Sequence, residues 1–115
     1  MYWELKTGAE SGWDYSSRWF RNRNSSKKEI IGSLKDIKPR SIIPVDLNSI
    51  LVMNARTISI WYQDYFRDKE RSSKYQHIAD NLVDSIENVL WNEEEGVWFD
   101  YDLNEAHHRI HFSLR

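Results

Sequence analysis

Two stretches of the sequence repeat apolar residues at the spacing of an amphipathic helix, and this pattern constrains the fold more than any other feature. The apolar positions of the first stretch are Leu47, Ile50, Leu51, Ile58, Trp61, Tyr62 and Tyr65. Those of the second are Tyr75, Ile78, Ala79, Leu82, Val83, Ile86, Val89 and Leu90, with Asp80, Asp84 and Glu87 outside the stripe. The charged turn at residues 67–71 joins them, so we expect an antiparallel helical hairpin. Asp46 is the predicted N-cap of the first helix.

The remaining stretches predict short, irregular elements. Between residues 30 and 45 the apolar positions are spaced irregularly around Pro39 and Pro44, which favours short extended pieces lying across a core. Residues 21–29 are polar and predict a surface loop, whereas residues 97–102 alternate as a short strand does. No pattern of alternating strands and helices is present.

Composition limits the classes of partner. The chain of 115 residues carries 16 basic and 18 acidic residues, a net charge of -2, which gives no support for nucleic acid or an anionic membrane as partner. Its six Trp, six Tyr and four Phe residues favour a neutral partner such as a sugar, whose ring faces pack on aromatic rings. There is no cysteine, and no apolar run approaches the roughly 20 residues that cross a bilayer. The start lacks the features of a signal peptide, while a glycosylation sequon at Asn24 weakly favours an exported protein.

The stretch GAESGWDYSSRWF, residues 8–20, surrounds one carboxylate with aromatic residues. The neighbours of Asp14 are Trp13, Tyr15, Trp19 and Phe20. Asp14 is interpreted either as a helix cap or i,i+4 partner of Arg18, or as a carboxyl group that the rings desolvate and that donates a proton to a leaving oxygen. Gly12 would allow a substrate to approach the backbone closely, and the hydroxyl groups of Ser11 and Ser16 are available to bind sugar hydroxyls.

Three other constellations predict no site. The acidic tract at residues 93–95 precedes Gly96 and predicts a solvated turn. Asp100, Asp102 and Asn104 begin like a calcium loop, but that loop requires glycine at its sixth position and glutamate at its twelfth, where this chain has Glu105 and His111. His107 and His111 have a spacing that suits zinc but lack a further clear ligand, so no metal is predicted.

The stretch GAESGWDYSSRWF, together with RSIIPVDLNSIL and VLWNEEEGVWFDYDLN, resembles trehalase of glycoside hydrolase family 37. The three stretches occur in the family's order and cover nearly the whole chain, which is most similar to the animal trehalases. The resemblance implies that residues 1–115 are one partial catalytic domain, incomplete at both ends. It also implies an all-α fold class, in which the helical hairpin is part of an (α/α)6 toroid around a sugar pocket.

The resemblance assigns roles to four residues. Asp14 matches the family's general acid, Gly12 matches a glycine that contacts substrate, and Trp13 and Arg18 belong to the same stretch as pocket residues. The implied reaction is hydrolysis of α,α-trehalose to two glucose molecules by inversion, with the acid and a base about 6.5–9.5 Å apart. No cofactor is required. Animal trehalases imply an extracellular or membrane-anchored location, with any anchor outside this segment.

The catalytic base, the sugar-binding arginines, the family's signature patterns and its glycine-rich lid have no counterpart in the chain. We therefore expect these residues alone to be inactive. Two other functions stay open: a noncatalytic trehalase-like polypeptide that binds sugar or a protein partner, and a toroid glycosidase acting on another disaccharide.

Overall fold

The computed structural model describes residues 1–14, 16–20 and 36–110. This part of the chain contains three α-helices: α1 (Tyr2–Glu10), α2 (Val45–Asp64) and α3 (Lys69–Leu90). It also contains five two-residue strands: β1 (Ile42–Ile43), β2 (Trp91–Asn92), β3 (Val97–Trp98), β4 (Tyr101–Asp102) and β5 (His107–His108). The chain divides into two compact units, Pro44–Phe99 and the combination of Met1–Ile43 with Asp100–Arg115.

The unit Pro44–Phe99 is built on the predicted helical hairpin, and that prediction is confirmed. Helices α2 and α3 pack against each other along their length. At the turn end, the rings of Tyr62 and Tyr75 stack with centroids 5.7 Å apart, and Ser59 Oγ donates to the carbonyl oxygen of Ser72 at 2.8 Å. Small residues permit this close approach, since Ala55 on α2 and Ala79 on α3 are both buried.

The two long helices begin differently. Asp68 is the N-cap of α3, and its Oδ1 accepts a hydrogen bond from the backbone N–H of Arg71 at 3.0 Å. The prediction that Asp46 caps α2 is wrong, because the helix already begins at Val45 with Pro44 as its N-cap. Asp46 lies in the first turn, where its Oδ1 accepts from the N–H of Leu47 at 2.8 Å. A carboxylate there still favours the helix N-terminus.

The predicted strand at residues 97–102 is two strands that belong to different hairpins. β3 pairs antiparallel with β2, and the acidic tract at residues 93–95 forms the exposed turn between them, as predicted. β4 pairs with β5 and with β1, giving a three-stranded antiparallel sheet in the order β1-β4-β5. Gly96 and Ala106 both adopt positive φ, 65° and 52°, at the ends of the two turns.

In the other unit, α1 packs on a 3₁₀ turn at Pro39–Ser41. An ideal Cβ at Gly8 would lie 3.9 Å from Pro39 Cγ, so α1 approaches this turn closely. Glu4 Oε2 accepts a hydrogen bond from the backbone N–H of Arg40 at 3.1 Å. The sequence reasoning above did not predict α1. The expected short extended pieces around the two prolines are present as this turn and β1.

The described residues are mainly helical, in agreement with the predicted fold class, with the five short strands as an addition. A closed toroid is not formed by the described residues and stays a prediction. The predicted loop at residues 21–29, the Asn24 sequon, Tyr15 and His111 lie outside the described residues. No helix in the described part of the chain is long and apolar enough to cross a membrane.

Candidate functional site

A pocket of about 480 Å³ lies beside the C-terminal end of α1. Its lining residues are Leu5, Gly8, Ala9, Asp14, Ser16, Trp19, Phe20 and Ile37. Among the described residues, the lining is mostly apolar and aromatic, and it includes the carboxyl group of Asp14 and the hydroxyl group of Ser16. Both size and composition are typical of a small-molecule site.

The end of α1 positions Asp14. Ser11 Oγ donates to the carbonyl oxygen of Gly8 at 2.6 Å and accepts from the N–H of Trp13 at 3.1 Å. Gly12 follows with a φ of 75°, a left-handed conformation that ends helices and that glycine adopts most easily. An ideal Cβ at Gly12 would meet nothing within 4 Å, so the space beside this residue is open. The turn therefore leads Asp14 out of the helix, and its side chain is exposed where it lines the pocket.

The aromatic neighbours of Asp14 have different roles. Trp19 is only 4% exposed, and its Nε1–H donates to the carbonyl oxygen of Trp13 at 2.8 Å. Trp19 and the half-buried Phe20 line the pocket, whereas the side chain of Trp13 is exposed. The structure thus brings Asp14 together with two of the predicted rings in one pocket wall.

Arg18 lies between aromatic rings and a carboxylate. Its guanidinium carbon is 5.8 Å from the ring centroids of both Trp13 and Trp19. Its Nε forms an ion pair with Asp100 Oδ2 at 3.1 Å, and both side chains are largely buried. The i,i+4 interpretation paired Arg18 with Asp14, whereas the ion pair of Arg18 seen here is with Asp100, which precedes β4.

Three buried charged residues form an ionic cluster that the sequence reasoning missed: Lys38, Asp102 and Arg109. Asp102 is 0% exposed and its Oδ2 contacts both Lys38 Nζ and Arg109 Nη1. Its Oδ1 accepts from the backbone N–H groups of Asn104 and Glu105 in the β4–β5 turn. Glu105 Oε1, at the edge of this ionic cluster, lies 3.1 Å from Lys38 Nζ.

The surroundings of Asp102 lower its pKa. Burial is the largest single influence and opposes ionisation, but the hydrogen bonds from Lys38 and from the N–H groups of Glu105 and Asn104, with the positive charge of Lys38, together outweigh it. The pKa of Asp102 is therefore held below its ordinary value. The hydrogen bond and charge of Lys38 also lower the pKa of Glu105.

The sequence signal for this ionic cluster was the pattern interpreted as a failed calcium loop. Asp102 and Asn104 do shape a turn, in which Asp102 accepts backbone N–H donors through Oδ1 and pairs with Lys38 and Arg109 through Oδ2. Among the described residues there is no group of three or more histidines and acidic residues that could hold a metal ion. The histidine pair with a spacing that suits zinc includes His111, which is outside the described residues, and His107 Nε2 lies 2.9 Å from Glu105 Oε2.

Fold and pocket together define a mainly helical protein with a small-molecule pocket that carries a single described carboxylate. The trehalase family model matches residues 1–114. The chain is 42% identical to a trehalase of Pimpla hypochondriaca over 112 residues, covering 97% of this chain and 18% of that protein. It is 45% identical to a trehalase of Apis mellifera, covering 89% and 16%, and 37% identical to the human trehalase, covering 91% and 17%.

The chain belongs to the trehalase family. It spans less than a fifth of the length of these three relatives. The resemblance read from the motifs is therefore confirmed, and with it the placement of the chain in a family of glycosidases.

Proposed function

We propose that this chain is part of an enzyme that hydrolyses α,α-trehalose to two glucose molecules, with Asp14 as the general acid. The observation that carries the proposal is the position of Asp14 in the wall of the 480 Å³ pocket, directly after the left-handed turn at Gly12. Family membership supports the substrate class.

In this mechanism Asp14 donates its proton to the oxygen that links the two glucose units. A base on the opposite face of the sugar activates water, and the configuration at the anomeric carbon inverts. The acid and base together supply the proton transfers. The base and the arginines that hold the sugar are assigned to residues other than these 115, so residues 1–115 are proposed as one part of a larger catalytic domain of the toroid type.

The other three predicted site residues have supporting roles in the proposal. Gly12 leaves open space beside the backbone, through which a sugar hydroxyl could approach. Trp13 presents its exposed ring for packing on a sugar face. Arg18 lies near the rings of Trp13 and Trp19 and pairs with Asp100. It is therefore proposed as a supporting residue of the pocket that keeps these two rings in place.

Replacing Asp14 by asparagine in the full-length protein tests the assignment. Asp14→Asn keeps the shape of the side chain but removes the acidic proton, so kcat/KM for trehalose should fall by about 10²–10⁴-fold. Asp64→Asn, an exposed substitution in the last turn of α2, is the matched control and should leave the rate unchanged. Hydrolysis by the Asp14→Asn variant at the parental rate would exclude Asp14 as the general acid.

A noncatalytic sugar-binding polypeptide is the second candidate. One observation favours it: the described lining residues of the pocket include one carboxylate, whereas an inverting glycosidase needs two. Two measurements distinguish the candidates: isothermal titration of the 115-residue chain with trehalose, and an assay of glucose release by the full-length protein. Binding by the 115-residue chain without glucose release by the full-length protein would support the second candidate. Glucose release by the full-length protein would exclude it.

Location is part of the proposal as well. A trehalase of Salmonella paratyphi A that is 36% identical to this chain is named as periplasmic. Together with the animal relatives, this supports an extracellular or membrane-anchored protein. Loss of mass on treatment of the native protein with an N-glycosidase would support export, since N-linked glycans are added in the secretory pathway.

A further inference from the structure

Three consecutive backbone carbonyl groups, shortly after Asp14 in the chain, accept hydrogen bonds from buried residues. Arg109 Nη2 donates to the carbonyl oxygens of Arg18 at 3.1 Å and of Phe20 at 2.9 Å. Between them, the carbonyl oxygen of Trp19 accepts from the backbone N–H of Lys38 at 2.8 Å. Arg109 is 8% exposed and Lys38 is 5% exposed. These bonds fix the backbone at residues 18–20 from one side.

Arg109 is itself held in a single orientation. Its Nη1 donates to Asp102 Oδ2 at 3.1 Å, and its backbone N–H donates to the carbonyl oxygen of Asp100 at 2.7 Å. Asp102 in turn pairs with Lys38 and accepts two N–H groups of its own turn. A planar guanidinium group with fixed donor directions suits such a site better than an ammonium group does.

Trp19 extends this support to the residue before Asp14. Its indole Nε1–H donates to the carbonyl oxygen of Trp13 at 2.8 Å, and its ring is buried. The backbone of Trp19 is fixed between the two carbonyls that Arg109 binds. Arg109, Trp19 and Trp13 therefore form a continuous set of contacts that ends one residue from Asp14.

We propose that Arg109, held by Asp102, is a positioning residue for Asp14, acting through the Arg18–Phe20 backbone and the Trp19 indole. The proposal rests on the proposed function, because it gives Arg109 a role in the reaction that Asp14 performs. Arg109 does not line the pocket, so it acts on the orientation of the acid and not on substrate. An error of about 1 Å in the position of a catalytic group can lower a rate by about 10²-fold.

The test compares three variants of the full-length protein on two substrates. Arg109→Lys keeps the positive charge beside Asp102, but it cannot supply the fork whose Nη1 binds Asp102 while its Nη2 binds both carbonyls. Trp19→Phe keeps a ring and removes the indole donor. Arg56→Lys, at an exposed position of α2, is the matched control and should leave both rates unchanged. The substrates are trehalose and α-glucosyl fluoride, whose leaving fluoride depends less on a proton donor than a sugar hydroxyl does.

We expect Arg109→Lys to lower kcat for trehalose by about tenfold or more with KM changed less than about twofold. The loss of kcat on α-glucosyl fluoride should be much smaller than the loss on trehalose. In Asp14→Asn the difference between the two losses should be larger still. Trp19→Phe should follow Arg109→Lys in direction. A purely structural role would lower the rates on both substrates equally, so equal losses, or no loss, in Arg109→Lys would overturn the positioning role while leaving the Asp14 assignment intact.

A measurement that does not depend on activity separates the two proposals further. Hydrogen exchange of the backbone N–H groups of Trp19 and Phe20 should be at least about tenfold faster in Arg109→Lys, because the carbonyls of Arg18 and Phe20 lose their buried donor and the segment opens more often. If Asp14→Asn proves fully active, the proposed function fails. The exchange rates then decide whether Arg109 fixes the backbone of residues 18–20, and unchanged exchange in Arg109→Lys would show that it does not.

Discussion

Asp102 shows how a fully buried carboxylate can be ionised. In the folded state its pKa lies below the ordinary value, because the hydrogen bonds from Lys38 and the β4–β5 turn outweigh the opposing effect of burial. A carboxyl group with a lowered folded pKa contributes stability above its unfolded pKa and loses it as the pH falls through the folded pKa. Lys38, Arg109 and Glu105 are the charged groups around it.

We therefore expect the protein to lose stability as the pH falls below about 4, the ordinary range of an Asp side chain. Asp102→Asn should be less stable at pH 7 by about 3–5 kcal/mol, because it leaves buried cations without their partner. The stability of this variant should also change less than that of the parent between about pH 5 and about pH 2, a range around the ordinary Asp pKa. Thermal unfolding across this range, with Asp64→Asn as an exposed control, measures both effects. Equal pH dependence in Asp102→Asn and the parent would show that Asp102 does not control acid stability.

Gly12 and Gly8 make a matched pair, because they lie close together in the chain and differ in backbone conformation. Gly12 has a φ of 75°, so Gly12→Ala should cost about 1–2 kcal/mol of the free energy of unfolding although the added Cβ meets no atom. Gly8 lies within α1, and its Cβ would make an ordinary 3.9 Å contact, so Gly8→Ala should be neutral or stabilising by up to about 1 kcal/mol. Denaturant titration of both variants measures the difference. A cost at Gly8 and none at Gly12 would contradict the backbone argument.

At the scale of elements, the sequence predicted the long helices well and their boundaries less well. The apolar stripes of α2 and α3 repeat over many turns, so the helical period is unambiguous and the hairpin follows from the short turn. The cap of α2 was misplaced because Pro44 already fixes an extended conformation, which lets the helix begin at Val45, before Asp46. The cap of α3 has no competing signal of this kind, and Asp68 occupies it.

The short elements were harder to predict because tertiary contacts determine them. α1 has no strong apolar stripe, and it packs through a glycine against Pro39. The alternation at residues 97–102 did indicate extended structure, but it gave no sign that Phe99 and Asp100 separate two hairpins. Each of these strands has only two residues, too few for their own periodicity to locate the break.

At the scale of the whole molecule, the motif around Asp14 could be predicted from sequence and its support could not. Asp14, Gly12, Trp13 and Arg18 are close in sequence, so one stretch identifies them together. Lys38, Asp100, Asp102 and Arg109 are distant from that stretch, and charged residues are usually exposed. Only the folded chain brings these four charged side chains to the segment that follows Asp14.

The outer face of α2 carries an apolar stripe with a further consequence for the molecule. Ile50, Met53, Ile60 and Trp61 are each at least 40% exposed. Their spacing places them on one side of the helix, opposite the side on which Val52, Ala55 and Ser59 are buried. Exposed contiguous apolar surface promotes association.

We therefore expect the 115-residue chain, studied alone, to associate at concentrations where most small domains are monomers. Ile60→Lys should raise the monomer fraction, because it places a charge within the stripe. Gln63→Lys adds the same charge at an exposed polar position of the same helix outside the stripe and should change the monomer fraction much less. Sedimentation velocity at several concentrations measures the distribution. If both lysine variants shift the monomer fraction equally, net charge and not the apolar stripe controls association. If the parent chain is monomeric at every concentration, this face of α2 is stable in water without a covering partner.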